Sequence, residues 1–130
     1  MARSPRDDQR GSAAVEFALV LPLLLVITLG LVQVGLLVRD RLLVESAARA
    51  GARAAALSAD AASIHDAVTR AAPDLDPAAL TIGVSRAGTQ GDPVTVDIVY
   101  REAIRVPFVD WLFAGGVSMH AVATDRQEFS

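Results

Sequence analysis

The chain has 130 residues, is 52% apolar and carries a formal charge of −3. That length is the size of one domain, and so mild an acidic balance speaks against nucleic acid as a partner. There is no cysteine, which excludes disulfides, thiol catalysis and thiolate metal sites.

The first ten residues, MARSPRDDQR, are charged and polar. From Phe17 to Val38 the chain then reads FALVLPLLLVITLGLVQVGLLV, with no charge and only Thr28 and Gln33 notably polar. As a helix this run is about 33 Å long, enough to cross a hydrocarbon core of about 30 Å. Two other readings compete. A secretory signal peptide has an apolar stretch of about 7–15 residues. This run is longer, and the small-x-small site Ala48-Arg49-Ala50 lies well beyond it. A buried core helix is ordinarily shorter. The membrane span fits best. Arg3, Arg6 and Arg10 precede it and Arg39, Arg41, Arg49 and Arg53 follow it, so the positive-inside count leaves its orientation open.

Two residues sit oddly in this segment. Glu16 puts a carboxylate at the edge of the span, where burial costs less than the roughly 2.5–3.5 kcal/mol of the bilayer centre. Pro22 removes a backbone N–H from the helix and leaves the Ala18 carbonyl without its usual partner. It is expected to break the helix within the membrane, either as a simple kink or as a loosening that eases extraction.

The helical pattern continues past the span. RDRLLVESAARAGARAAAL runs to Leu57 without proline. Leu36, Leu43, Ala47, Ala50, Ala54 and Leu57 form one stripe, and Glu45 with Arg49 make a favourable i, i+4 pair. The predicted helix extends from Ala13 to Leu57. A second helix is predicted from about Ala61 to Ala72, with Ser58 or Asp60 as its cap, Ile64 and Val68 on its apolar side and Pro73 as its stop. His65 points away from that side, towards solvent.

The period then changes to two. Leu80, Ile82 and Val84 alternate with polar residues, as do Val94 to Tyr100 and Val117 to Ala123, giving three half-buried strands. The turn-rich AGTQGDP, residues 87–93, joins the first two as a hairpin. The apolar faces need a cover, and the Ala-rich helix is the obvious one. VPFVDWLFAGG holds Phe108, Trp111 and Phe113, half of the chain's aromatic residues. They either close the open end of the core or form an exposed patch for a partner subunit or membrane surface. No catalytic or metal-binding constellation stands out, and Asp74 and Asp76, beside Pro73 and Pro77, have the look of turn and cap residues. The chain is expected not to be an enzyme and to need no cofactor or metal.

The segment RG-SAAVEF resembles a type IV prepilin cleavage site: a short charged leader, Gly11, then Glu16 followed by the aromatic Phe17, and directly after them a membrane span. GSAAVEFALVLPLLLVITLGLVQVG looks like the N-terminus of TadE-like pseudopilins of tight-adherence (Flp, type IVc) pilus systems. The proline placement of LVLPLLL is similar to theirs, while Ser12 stands where major type IV pilins usually carry Phe. The resemblance implies a cut between Gly11 and Ser12 by a prepilin peptidase. Glu16 is then the fifth mature residue, paired in assembly with the freed N-terminus of a neighbour. It implies an α+β, pilin-like fold: a long N-terminal transmembrane helix continuing into an Ala-rich helix packed on a small antiparallel sheet of about three strands. The organisation it implies is a leader at 1–11, a transmembrane helix at 12–38 and an extracytoplasmic pilin-like domain at 39–130. The protein would sit in the cytoplasmic membrane with a cytoplasmic N-terminus, or enter a cell-surface pilus. Its partners would be other pilins and pseudopilins and the Tad inner-membrane assembly platform. The alternative is a single-span, membrane-anchored extracellular binding module with no pilus role.

Overall fold

The computed structural model describes residues 5–102 and 116–129. Helix α1 runs from Pro5 to Leu57, 53 residues without interruption, or about 80 Å at 1.5 Å per residue. It begins well before Ala13, the predicted start. Proline is at home in the first turn of a helix, and Gly11 weakens the following turns by only about 1 kcal/mol.

Helix α2 (Ala61–Ala71) is capped by Asp60, whose carboxylate accepts from the Ala62 and Ser63 amides at 3.3 and 3.0 Å. Asp76 caps a short 3₁₀ turn, Pro77–Ala79, by accepting from the Ala78 amide. Asp74, by contrast, is more than a turn residue: its carboxylate pairs with Arg39 at the end of the apolar run, tying the segment after α2 to the anchor helix.

Strands β1 (Leu80–Arg86), β2 (Pro93–Glu102) and β3 (Val117–Arg126) form an antiparallel sheet in the order β1-β2-β3. The predicted hairpin between β1 and β2 is present. Gly91 holds the positive φ that its turn requires, and the Thr89 amide donates to the Asp92 carboxylate at 2.9 Å. The α+β architecture and the three-stranded sheet agree with expectation.

Alternation decides which face is buried. Val94, Val96, Ile98 and Tyr100 of the central strand are all buried, joined by Met119 and Ala121 of β3. They pack against Val44, Ala47, Ala48, Ala52 and Ala55 of α1 and against Ile64 and Val68 of α2. The buried face of α1 differs from the predicted stripe, for Leu36 and Leu57 are exposed and Ala50 and Ala54 only half-buried. In a stretch this rich in alanine, apolar side chains lie on every side, and apolarity cannot select a face. Size selects it. A Cβ on Gly51 would stand 2.8 Å from Val68 Cγ2 and 3.1 Å from Val96 Cγ1, so both helices and the central strand meet where α1 has no side chain.

The ends of this packed unit are closed by polar contacts. Arg86 donates to the Ala55 and Ser58 carbonyls at 3.3 and 3.0 Å, and the Glu128 amide donates to the Ala56 carbonyl at 2.8 Å. These bonds satisfy the Ala55 and Ala56 carbonyls, which the last turn of α1 leaves without helical partners, and the Ser58 carbonyl just beyond it. Towards the membrane, Gln33 is only 3% exposed and Leu29, Gly30 and Leu37 are half-buried. They lie on the same side of α1 as Val44 by the 3.6-residue period, so that face is covered well into the apolar run.

Gly51→Ala raises helix propensity but forces a methyl into the stiff, β-branched Val68 and Val96. The expected result is a thermal midpoint lower by about 4–8 °C by circular dichroism in detergent, the equivalent of about 1 kcal/mol in so small a unit. A raised midpoint would mean that propensity outweighs the contact.

Candidate assembly site

Residues 12–28 of α1 project their side chains outwards with none buried; Phe17 is 63% exposed and Leu19 74%. A core helix of a soluble protein would be covered here. The signal-peptide reading meets a different obstacle. A cut after Ala50 would carry away Val44, Ala47 and Ala48, which are buried in the core of the C-terminal unit. The helix is thus anchor and core element at once. One N-terminal apolar helix of spanning length is present among the described residues, which suggests a single-pass membrane anchor.

The bond between Gly11 and Ser12 lies inside α1. The Ser12 hydroxyl donates to Glu16 Oε1 at 3.5 Å, one helical turn away. That bond is long and exposed, so it constrains the carboxylate little. Glu16 and Phe17 are neighbours on the outside of the helix, and both lie more than five turns before Leu37, the first α1 residue packed against the core.

Pro22 does not interrupt α1, which stays helical on both sides of it. The predicted break is therefore absent as a break. One proline removes one donor, and away from water nothing competes for the remaining hydrogen bonds of the helix. Thr28, the other irregular residue of this stretch, donates its hydroxyl to the Leu24 carbonyl at 2.8 Å and so needs no outside partner. Phe108, Trp111 and Phe113 lie outside the described residues.

Two features of the packed unit were missed in the sequence. Glu45 pairs with Arg41 at 3.3 Å and not with Arg49, because a carboxylate flanked by cations at i−4 and i+4 serves either one. His120 and Asp97 stand 2.7 Å apart on the outer face of the sheet; only strand register, which sets Val99 opposite His120, brings them together. No group of three or more histidine and carboxylate side chains suited to a metal occurs among the described residues.

The sequence model of the family described as TadE-like protein matches residues 11–53. Over this segment, about a third of the chain, the sequence is similar to TadE-like proteins. The matched segment starts at Gly11 and spans the apolar run together with most of the α1 residues that enter the core, while α2 and the sheet lie beyond it. No curated protein and no solved structure matches the chain.

Alanine at Glu16, Phe17 or Pro22 is expected to shift the thermal midpoint of the C-terminal unit by less than about 2 °C, since exposed positions remote from a core change stability little. A drop as large as that expected for Gly51→Ala would assign these residues to the fold.

Proposed function

We propose that the protein is a minor pilin or pseudopilin of a tight-adherence (Flp) pilus that primes or assists pilus assembly. The observation that carries this reading is a coincidence of position. The TadE-like match begins at Gly11, the residue after which a prepilin peptidase would cut. Glu16 and Phe17 follow at the spacing that such substrates show, at the head of an exposed helix of spanning length.

In this account the leader lies in the cytoplasm and the sheet outside. Hydrolysis of the Gly11–Ser12 peptide bond frees an ammonium at Ser12 and leaves the carboxylate on Gly11. The site is helical before the cut, and a protease needs extended substrate. Gly11 lowers the cost of local unwinding by about 1 kcal/mol relative to alanine. The new ammonium then stands at the membrane edge, in the same layer as Glu16. In an assembly, the Glu16 carboxylate of one subunit pairs with the Ser12 ammonium of the next. Each charge is expensive to hold alone in an apolar layer, and the pair forms only in one register. The partners are other pilins and pseudopilins and the inner-membrane assembly platform.

Glu16→Ala is expected to leave membrane insertion and leader removal unchanged and to reduce pilus assembly at least about tenfold, as expected on losing one partner of a desolvated charge pair. Membrane fractionation and counting of surface pili in the parent organism provide the readouts. Normal piliation in that variant would sink the proposed role of Glu16.

A further inference from the structure

Among the described residues, the side of α1 turned away from the packed core carries a line of exposed residues, which borders β3 at Arg49 and α2 at Ala54. Leu31, Gly35, Val38 and Leu42 are exposed in its lower half, and above them Arg49, Arg53 and Leu57 lie on the same line by the 3.6-residue period. Leu42 is 60% exposed and Leu57 59%, although both lie beyond the apolar run. Beside this line, Ser46, Ala50 and Ala54, with Ala67 of α2, line a groove of about 490 Å³. Small side chains at i, i+4 and i+8 let another helix backbone approach closely.

The charges on this face are unbalanced. Arg39, Arg41 and Arg70 pair with Asp74, Glu45 and Asp66. Arg49 and Arg53, one turn apart at the groove, have no ion-pair partner among the described residues. We infer that this face docks a membrane-anchored helix of a different subunit, one that presents two carboxylates a turn apart over a small-residue face. Continuity sets the anchoring: the same line of α1 is apolar inside the span and basic above it, so an occupant lying along it has a matching apolar lower half. Charge sets the identity. The carboxylates in α1 and α2 are Asp7, Asp8, Glu16, Asp40, Glu45 and Asp66, and no two of them are three or four residues apart. Among its described residues, a second copy of this chain therefore offers no helix that matches both arginines. The inference rests on the reading of the protein as a subunit of a larger membrane assembly, and it names the chemistry of one neighbour.

The test uses the full chain in nanodiscs of zwitterionic lipid. The probe is a fluorescent helical peptide with alanine at its contact positions and glutamate at i and i+4, followed by anisotropy. Binding is expected, weaker by at least about tenfold when both glutamates are replaced by glutamine, when the chain carries R49E and R53E, and when salt is raised to about 0.5 M, where the Debye length falls to a few ångströms. Circular dichroism of the R49E/R53E chain checks that it remains folded. No binding, or equal binding of the glutamate and glutamine peptides, overturns the proposal. So does a lowered thermal midpoint in R49E/R53E with unchanged peptide affinity, which would assign the arginines to the C-terminal end of α1. Loss of self-association of the chain in that variant would make the face a homotypic interface and overturn it also. The assay needs neither leader cleavage nor a pilus, so a failure here leaves the pilin reading standing, and a chain that keeps its leader leaves this inference standing.

Discussion

The close approach at Gly51 is the contact on which the rest of the structure depends. Val68 from α2 and Val96 from β2 both reach the backbone of α1 at Gly51, the one position of its packed stretch (residues 44–56) without a Cβ. Around that point Ala47, Ala48, Ala52 and Ala55 keep the helix surface low, and the fully buried β2 residues supply the bulk. A short sheet has little apolar area of its own to bury. It is stable here because α1, itself held by a long apolar segment, comes close enough to cover it.

That arrangement couples two jobs that other proteins separate. The same helix is exposed from Ser12 to Thr28 and buried on one face from Val44 to Ala56. It cannot be removed as a signal peptide without opening the core. It also transmits position: whatever sets the depth and tilt of the anchor sets the height of the sheet above the membrane, because no flexible linker intervenes within α1. The Arg39–Asp74 pair and the covered face around Gln33 strengthen this coupling just where the helix leaves the apolar run. In a subunit that packs beside others, as proposed, such stiffness would turn a register fixed along the anchor into a defined placement of the packed unit.

Much of this was legible in the sequence, for physical reasons. A run of more than twenty uncharged residues has one common use, and period-two alternation shows directly which face of β2 and β3 is covered, while in β1 the expected face fades, with Val84 exposed. The Asp60 cap and the Gly91 turn follow from local chemistry. The candidate site rests on spacing alone, since Ser12 and Glu16 share one long, exposed hydrogen bond in the isolated chain. What could not be seen depended on tertiary geometry. The buried face of an alanine-rich helix is chosen by closeness of fit and not by apolarity. Whether Glu45 turns to Arg41 or to Arg49 is a choice between equal spacings. The helical start at Pro5 was hidden because a polar leader gives no hydrophobic period to follow.

The central claim is that α1 carries a processed pilin N-terminus. The intact mass and N-terminal sequence of the protein, made with and without a prepilin peptidase in the same membrane, test it most directly. The account predicts Ser12 as the first residue only when the peptidase is present, with α1 otherwise whole. A chain that keeps residues 1–11 in its presence, or one that is cut near Ala50, would contradict it.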